Sequence, residues 1–191
     1  MNQITDFNIK DKRVFIRADL NVPMHSGNIS SKNRIQASLP TIKYALESGA
    51  KVMVTSHLGR PQEGHINQED SLAPIADYLS QILNKEIPLI KDWTIKEFMV
   101  ESGEMVVLEN CRFNVGENDN DVELSKVYAN LADIFVMDAF GTAHRKQAST
   151  YGIAEFCPQV CAGKLFTSEL EALDKVISSP KSPMVAIVGG S

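Results

Sequence analysis

Residues 52–61 read Val52-Met53-Val54-Thr55-Ser56-His57-Leu58-Gly59-Arg60-Pro61. The stretch opens as a short apolar run rich in β-branched side chains, the pattern of a buried strand. It then breaks into histidine, glycine, arginine and proline. Glycine and proline end the strand and leave an imidazole and a guanidinium just beyond it. In an open α/β sheet, ligands bind in the crevice outside the strand carboxyl ends, and a cation delivered there suits an anionic ligand. Taken alone, the stretch reads as a strand-to-loop turn with an ordinary surface arginine. Repetition at other strands is what would change that reading.

Arginine usage supplies the repetition. Of 19 basic residues, only 6 are arginine: Arg13, Arg17, Arg34, Arg60, Arg112 and Arg145. Arg17, Arg60, Arg112 and Arg145 each stand at a predicted strand end or in the loop after it. Lysine would serve for solubility, whereas the planar guanidinium fork suits a bidentate grip on phosphate or carboxylate.

In chain order, residues 13–18 form a predicted strand followed by Asp19-Leu20-Asn21-Val22-Pro23. Asp19 and Asn21 are two apart, so in extended backbone they face one side. They could serve a hydroxylated ligand or equally an Asx-type turn. Residues 25–28 read as a loop. Residues 31–48 have a helical pattern that Pro40 should split, with Ser38 capping the second piece. Arg34 near its start would favour an anion, unless it is simply an exposed helix arginine. Residues 51–56 are the second strand, Ser71 caps a helix running to about Leu83, and residues 87–90 are a short strand. Residues 93–102 read as a helix with Ile95, Phe98 and Met99 inward. A strand at 105–108 precedes Glu109-Asn110-Cys111-Arg112-Phe113. The acidic loop 116–121 reads as a solvated approach to the amphipathic helix 122–131. A strand at 134–137 leads to Asp138-Ala139-Phe140-Gly141-Thr142-Ala143-His144-Arg145. Residues 151–162 are less regular, 163–178 are a clear helix, and 184–188 read as a fresh buried strand before Gly189-Gly190-Ser191.

Alternating strands and helices predict an α/β fold, a Rossmann-like three-layer αβα domain with a mostly parallel central sheet. The 191 residues can bury one full core, and 43% apolar with 23% charged residues is ordinary globular composition. A net charge of −5 argues against nucleic acid or an acidic membrane as partner. No apolar run approaches the roughly 20 residues of a membrane span, and the first residues lack a signal-peptide pattern. Cys111, Cys157 and Cys161 are too few and too isolated for a metal site or disulfide framework, so buried thiols and a cytoplasmic location are expected. No metal site is expected. Neither a Gly-x-Gly-x-x-Gly nor a Walker motif occurs, and no Ser/His/Asp set is arguable from spacing. A Gly-Gly turn after a fresh strand should open another helix, so the chain is expected to be a piece of a larger protein.

The segments at 17–23, 56–61, 109–113 and 138–145, together with Arg34-Ile35 ahead of Leu39-Pro40-Thr41-Ile42, resemble the phosphoglycerate kinase family, in the family's order. The resemblance implies the substrate-binding half of a glycolytic phosphotransferase. That enzyme moves a phosphoryl group between 1,3-bisphosphoglycerate and MgADP, giving 3-phosphoglycerate and MgATP. It further implies that residues 1–179 are the N-terminal domain, with 163–178 as interdomain connector helix. Residues 180–191 would begin a nucleotide-binding domain otherwise absent, which would bind most of the MgATP or MgADP, so the chain alone is expected to be inactive and to hold no cofactor. Carried over by motif, Asp19 and Asn21 would bind the hydroxyl and carboxylate end of phosphoglycerate. His57, Leu58, Gly59, Arg60, Arg112 and Arg145 would surround its phosphate. Arg34, the implied catalytic residue, would reach the transferring group. Arg17, Gly141 and His144 are further candidates, and Gly59 and Gly141 would let backbone approach the ligand. Ala18 and Leu20 depart from the family's usual Val and Phe at packing positions. The expected partners are phosphoglycerate and the missing domain, with the chain a monomer. The competing reading is a stand-alone, non-catalytic binding module for small phosphorylated acids.

Overall fold

The computed structural model describes residues 1–179 together with Ser182, Pro183, Val185 and Ile187. Most of the expected strand at 184–188 and the Gly-Gly-Ser ending lie outside the described residues. The chain runs through β1 (Arg13–Ala18), β2 (Met24–His25), β3 (Asn28–Ile29), α1 (Asn33–Glu47), β4 (Lys51–Thr55) and α2 (Ala73–Leu83). It continues through β5 (Leu89–Ile90), β6 (Met105–Leu108), α3 (Val122–Asn130) and β7 (Ile134–Asp138). It then passes α4 (Ile153–Phe156), β8 (Gln159–Ala162) and α5 (Lys164–Ser178).

Six strands pair in the order β5-β6-β4-β1-β7-β8, every pairing parallel. β1 is central, with Phe15 in register with Met53 of β4 and Phe135 of β7. Alternation along each strand builds two cores. Val14, Ile16, Val52, Val54, Ile134 and Val136 join Ile35 and Ile42 of α1 and Ile75 and Leu79 of α2 on one face. Phe15, Met53, Val106 and Phe135 join Trp93, Tyr128 of α3 and Ile153 of α4 on the other. The result is the expected three-layer α/β sandwich. After β1 the chain winds toward β4, and after β7 it winds the other way. The reversal places a crevice at the carboxyl ends of β1 and β7.

Several local expectations are corrected. α1 runs unbroken through Pro40. A proline removes one helical hydrogen bond, and Ile35 and Ile42, buried on either side, hold the helix to the sheet. Ser38 is mid-helix and buried, with its hydroxyl donating to the Arg34 carbonyl at 3.2 Å. Residues 25–28 form a two-residue hairpin whose turn residues, Ser26 and Gly27, both have positive φ. Residues 93–102 form turns and no helix, with Ile95 and Met99 each 82% exposed. Trp93 instead anchors the segment. Its indole N–H donates to the Glu109 carbonyl at 2.9 Å, and its ring stacks on Tyr128 with centroids 4.7 Å apart. The irregular stretch after Tyr151 contains β8, which extends the sheet beyond β7.

Candidate functional site

The turn after β4 is fixed by its neighbours. Ser56 is buried, accepts from the Leu20 N–H at 2.9 Å and donates to the His57 carbonyl at 2.9 Å. It thereby ties the end of β4 to the end of β1. Asn21 Oδ1 accepts from the Gly59 N–H at 3.0 Å, and Arg112 Nη1 donates to the Gly59 carbonyl at 2.7 Å. Asn110 Nδ2 donates to the carbonyls of Leu58 and Asp70, both at 2.8 Å, while its Oδ1 accepts from the Arg112 N–H. The Leu58 side chain is core, so only its backbone belongs to the turn. Gly59 has φ +63°, and a Cβ there would lie 1.8 Å from Asp70 Oδ1. The glycine is needed there to let the turn pass Asp70. At Gly141 the nearest atom to a built Cβ is Asp19 Oδ2 at 3.8 Å, an ordinary contact.

Arg17 lies beneath the turn, fully buried. Its Nε donates to Ser149 Oγ at 3.0 Å, Nη1 to the Ala18 carbonyl at 2.7 Å and to Ser56 Oγ at 3.4 Å, and Nη2 lies 3.1 Å from His57 Nδ1. Burial, followed by the charges of Arg17, Arg112, Arg145 and Arg34, drives the His57 pKa down to about 2. His57 is therefore a neutral imidazole at physiological pH, not the cation its position first suggests. Arginines at or just beyond the ends of β1, β6 and β7 and on α1 are thus all near enough to act on it electrostatically, and Arg17 is in hydrogen-bond contact with it.

The other sequence-derived residues take distinct places. Arg34 is half exposed and donates through Nη1 to both Asp19 oxygens, at 2.7 and 2.8 Å. Asp19, Arg34 and Gly141 line one cavity of about 330 Å³ with Ala37, Phe140 and Leu165. Arg112 is mostly buried, and its Nε has no partner among the described residues. Burial, then the Arg145 charge, lowers its pKa. Arg145 is half-buried, and Arg60 and His144 are exposed. None of these three makes a side-chain hydrogen bond among the described residues. Among the described residues, no group of three or more His, Cys, Asp or Glu could hold a metal ion.

Sequence reasoning missed the supports. Glu109 is buried at the end of β6, where its carboxylate accepts from the Leu72 and Asn110 N–H groups and the Ser71 hydroxyl. The expected Ser71 cap of α2 is corrected: Leu72 is the cap residue, with no side-chain cap bond, and Ser71 stands one residue earlier, its Oγ accepting from the Ala73 N–H at 3.2 Å. Glu117, read as part of a solvated acidic loop, is fully buried beside Ser149. Asp138, at the end of β7, accepts from the Leu165 and Phe166 N–H groups at the start of α5, at 3.0 and 3.2 Å. Its Oδ2 is buried with no partner among the described residues, and burial lifts its pKa to about 6. Glu109 and Asp138 at strand ends look like ligand groups in a sequence and Glu117 looks like a solvated loop residue; burial makes all three struts.

Residues 4–191 match the family described as phosphoglycerate kinase. The chain belongs to the phosphoglycerate kinase family. A phosphoglycerate kinase structure from Coxiella burnetii aligns with a TM-score of 0.90 and 52% identity, over 95% of this chain and 46% of that one. A phosphoglycerate kinase from Pyrococcus horikoshii OT3 aligns with a TM-score of 0.83 and 39% identity, over 96% of this chain and 47% of that one. The chain thus spans less than half the length of these phosphoglycerate kinases.

Proposed function

We propose that this chain is the phosphoglycerate-binding half of a phosphoglycerate kinase, and that the crevice at the ends of β1, β4, β6 and β7 holds the substrate. The convergence of Arg34, Arg112 and Arg145 on the neutral His57 carries this reading. Arg34 is matched by Asp19, whereas Arg112 and Arg145 make no ion pair among the described residues, an arrangement that is costly unless an anion joins them. Arg60, in the turn after β4, adds an exposed guanidinium with no side-chain partner among the described residues. The buried, unpartnered Arg112 Nε is a donor in need of an acceptor.

In this reading, Arg60, Arg112 and Arg145 neutralise the phosphate of 3-phosphoglycerate, and the His57 Nε2–H donates to it. Asp19 takes the substrate hydroxyl on its free lone pairs. Asn21 acts through the Gly59 peptide it holds. Arg34 turns from Asp19 toward the substrate carboxylate, whose oxygen attacks the terminal phosphorus of MgATP while the bond to the ADP oxygen breaks. Charge stabilisation of that phosphoryl group is the main catalytic need. The nucleotide is a substrate held chiefly by residues beyond this chain, in line with its covering less than half of its relatives.

Calorimetric titration of the chain with 3-phosphoglycerate should show saturable binding. A coupled assay should show no ATP-dependent turnover by the 191 residues alone. Turnover, or the absence of any phosphoglycerate binding, would overturn the proposal.

A further inference from the structure

Beneath the crevice runs a chain of buried polar groups that the proposed function does not use. It starts at Glu117, fully buried, which only accepts. Ser149 donates to it through Oγ at 2.5 Å and through its N–H at 3.1 Å, and the Tyr128 hydroxyl donates at 3.2 Å. Burial raises the Glu117 pKa, and the bonds from Ser149 and Tyr128 together with the Arg17 charge oppose that rise and hold the carboxylate as an anion. Having given its proton to Glu117, the Ser149 hydroxyl can only accept from Arg17 Nε. Ser149 sits in a π-helical turn, Ala148–Gly152, a distortion frequent where a side chain must be aimed. Arg17 then reaches His57 Nδ1.

A guanidinium has donors and no acceptor. Nδ1 facing it must therefore be the bare nitrogen, and the ring proton is left on Nε2. Nε2 has no acceptor among the described protein residues. The ring proton is thus fixed by Arg17, and Ser149 and Glu117 hold Arg17 in place.

We propose that Arg17, seated on Ser149 and Glu117, is a positioning residue that holds His57 as the neutral Nε2–H tautomer, so that the ring meets the anionic ligand as a hydrogen-bond donor. Arg17 itself does not reach the ligand. Glu117 is its counter-charge, so the buried guanidinium adds no uncompensated cation below the site. The inference rests on the crevice being the phosphoglycerate site, but the tautomer is a property of the chain without ligand and is measured separately.

The test labels histidine with ¹⁵N in the 191-residue chain and reads the His57 ring nitrogens at pH 8, alongside affinity for 3-phosphoglycerate. Wild type should show a protonated Nε2 and a bare Nδ1. In the charge-balanced variant Arg17→Met/Glu117→Gln, both nitrogens should become averaged between tautomers, and affinity should fall between about tenfold and a hundredfold. Ser149→Ala, which leaves both charges in place, is the milder second variant and should shift the averaging in the same direction. A wild-type ring protonated on Nδ1 overturns the proposal. So does a folded double variant whose tautomer is unchanged, even with weakened binding, because Arg17 would then be only structural. A wild-type ring of the stated tautomer with no phosphoglycerate affinity refutes the ligand reading alone and supports the hold of Arg17 on His57.

Discussion

Arg112 grips the carbonyl of Gly59 at 2.7 Å, joining the ends of β6 and β4 through a guanidinium that also faces the crevice. Arg60, which follows Gly59, has no such tie among the described residues. Arg60→Ala should therefore weaken 3-phosphoglycerate binding by ~1.5–3 kcal/mol, the range for a hydrogen bond to a charged group, while shifting stability by no more than about 0.5 kcal/mol. Arg112→Ala should lower both affinity and stability. Parallel calorimetric and urea titrations separate the two arginines; equal effects on stability would refute the distinction.

Gly59 should not tolerate a side chain. Gly59→Ala meets Asp70 Oδ1 at 1.8 Å and keeps a positive φ, so a loss of about 2–4 kcal/mol is expected in denaturant unfolding. Asp70→Ala removes the colliding atoms. The double variant should regain part of the loss, leaving about 1 kcal/mol of backbone strain. Strictly additive losses would contradict the close approach.

Asp138 gives a pH dependence of defined sign. Its carboxyl has an ordinary value of 3.8 and is lifted to about 6 in the fold by burial. Between those values the native state binds more protons than the unfolded one, so this group's contribution to stability falls as pH rises. It is fully present below pH 4 and lost above about pH 6. Asp138→Asn keeps an oxygen for the Leu165 and Phe166 N–H groups but does not titrate. From pH 4 to pH 7, the stability difference should move in favour of the variant by on the order of 3 kcal/mol. A difference constant with pH would show that Asp138 is not buried as a carboxyl.

The Arg34–Asp19 pair should contribute little to the fold. Arg34 is half exposed, and exposed ion pairs contribute ~0–1 kcal/mol. A double-mutant cycle with Arg34→Ala and Asp19→Ala should give a coupling below about 1 kcal/mol in unfolding. A larger coupling would make the pair a structural clamp, unfit to release Arg34 to a substrate.

The residues explain which parts of this structure a sequence discloses. β1 and β6 were legible to the residue, because central strands buried on both faces leave continuous apolar runs. Residues 93–102 misled because apolar spacing does not distinguish a helix stripe from a segment pinned by one tryptophan. β8 was lost because edge strands have short apolar runs, here little more than Val160-Cys161-Ala162. Arg60, Arg112 and Arg145 stood out through arginine usage at strand ends. The depth of Arg17 and the burial of Glu117 did not, since Arg17, Glu117 and Ser149 meet only when three distant segments close over the sheet. Whether a polar residue touches ligand or holds the one that does is decided by tertiary depth.

The most direct test is a titration of the isotopically labelled chain with 3-phosphoglycerate, following the arginine Nε and histidine ring resonances by NMR. Arg13 is an internal control, because it begins β1 at the opposite end of the sheet and is paired with Asp133 at 2.7 Å. Arg34, Arg60, Arg112, Arg145 and His57 should shift along one saturable curve while Arg13 stays still. Shifts without saturation, or shared equally by Arg13, would contradict a phosphoglycerate site at the carboxyl ends of β1, β4, β6 and β7.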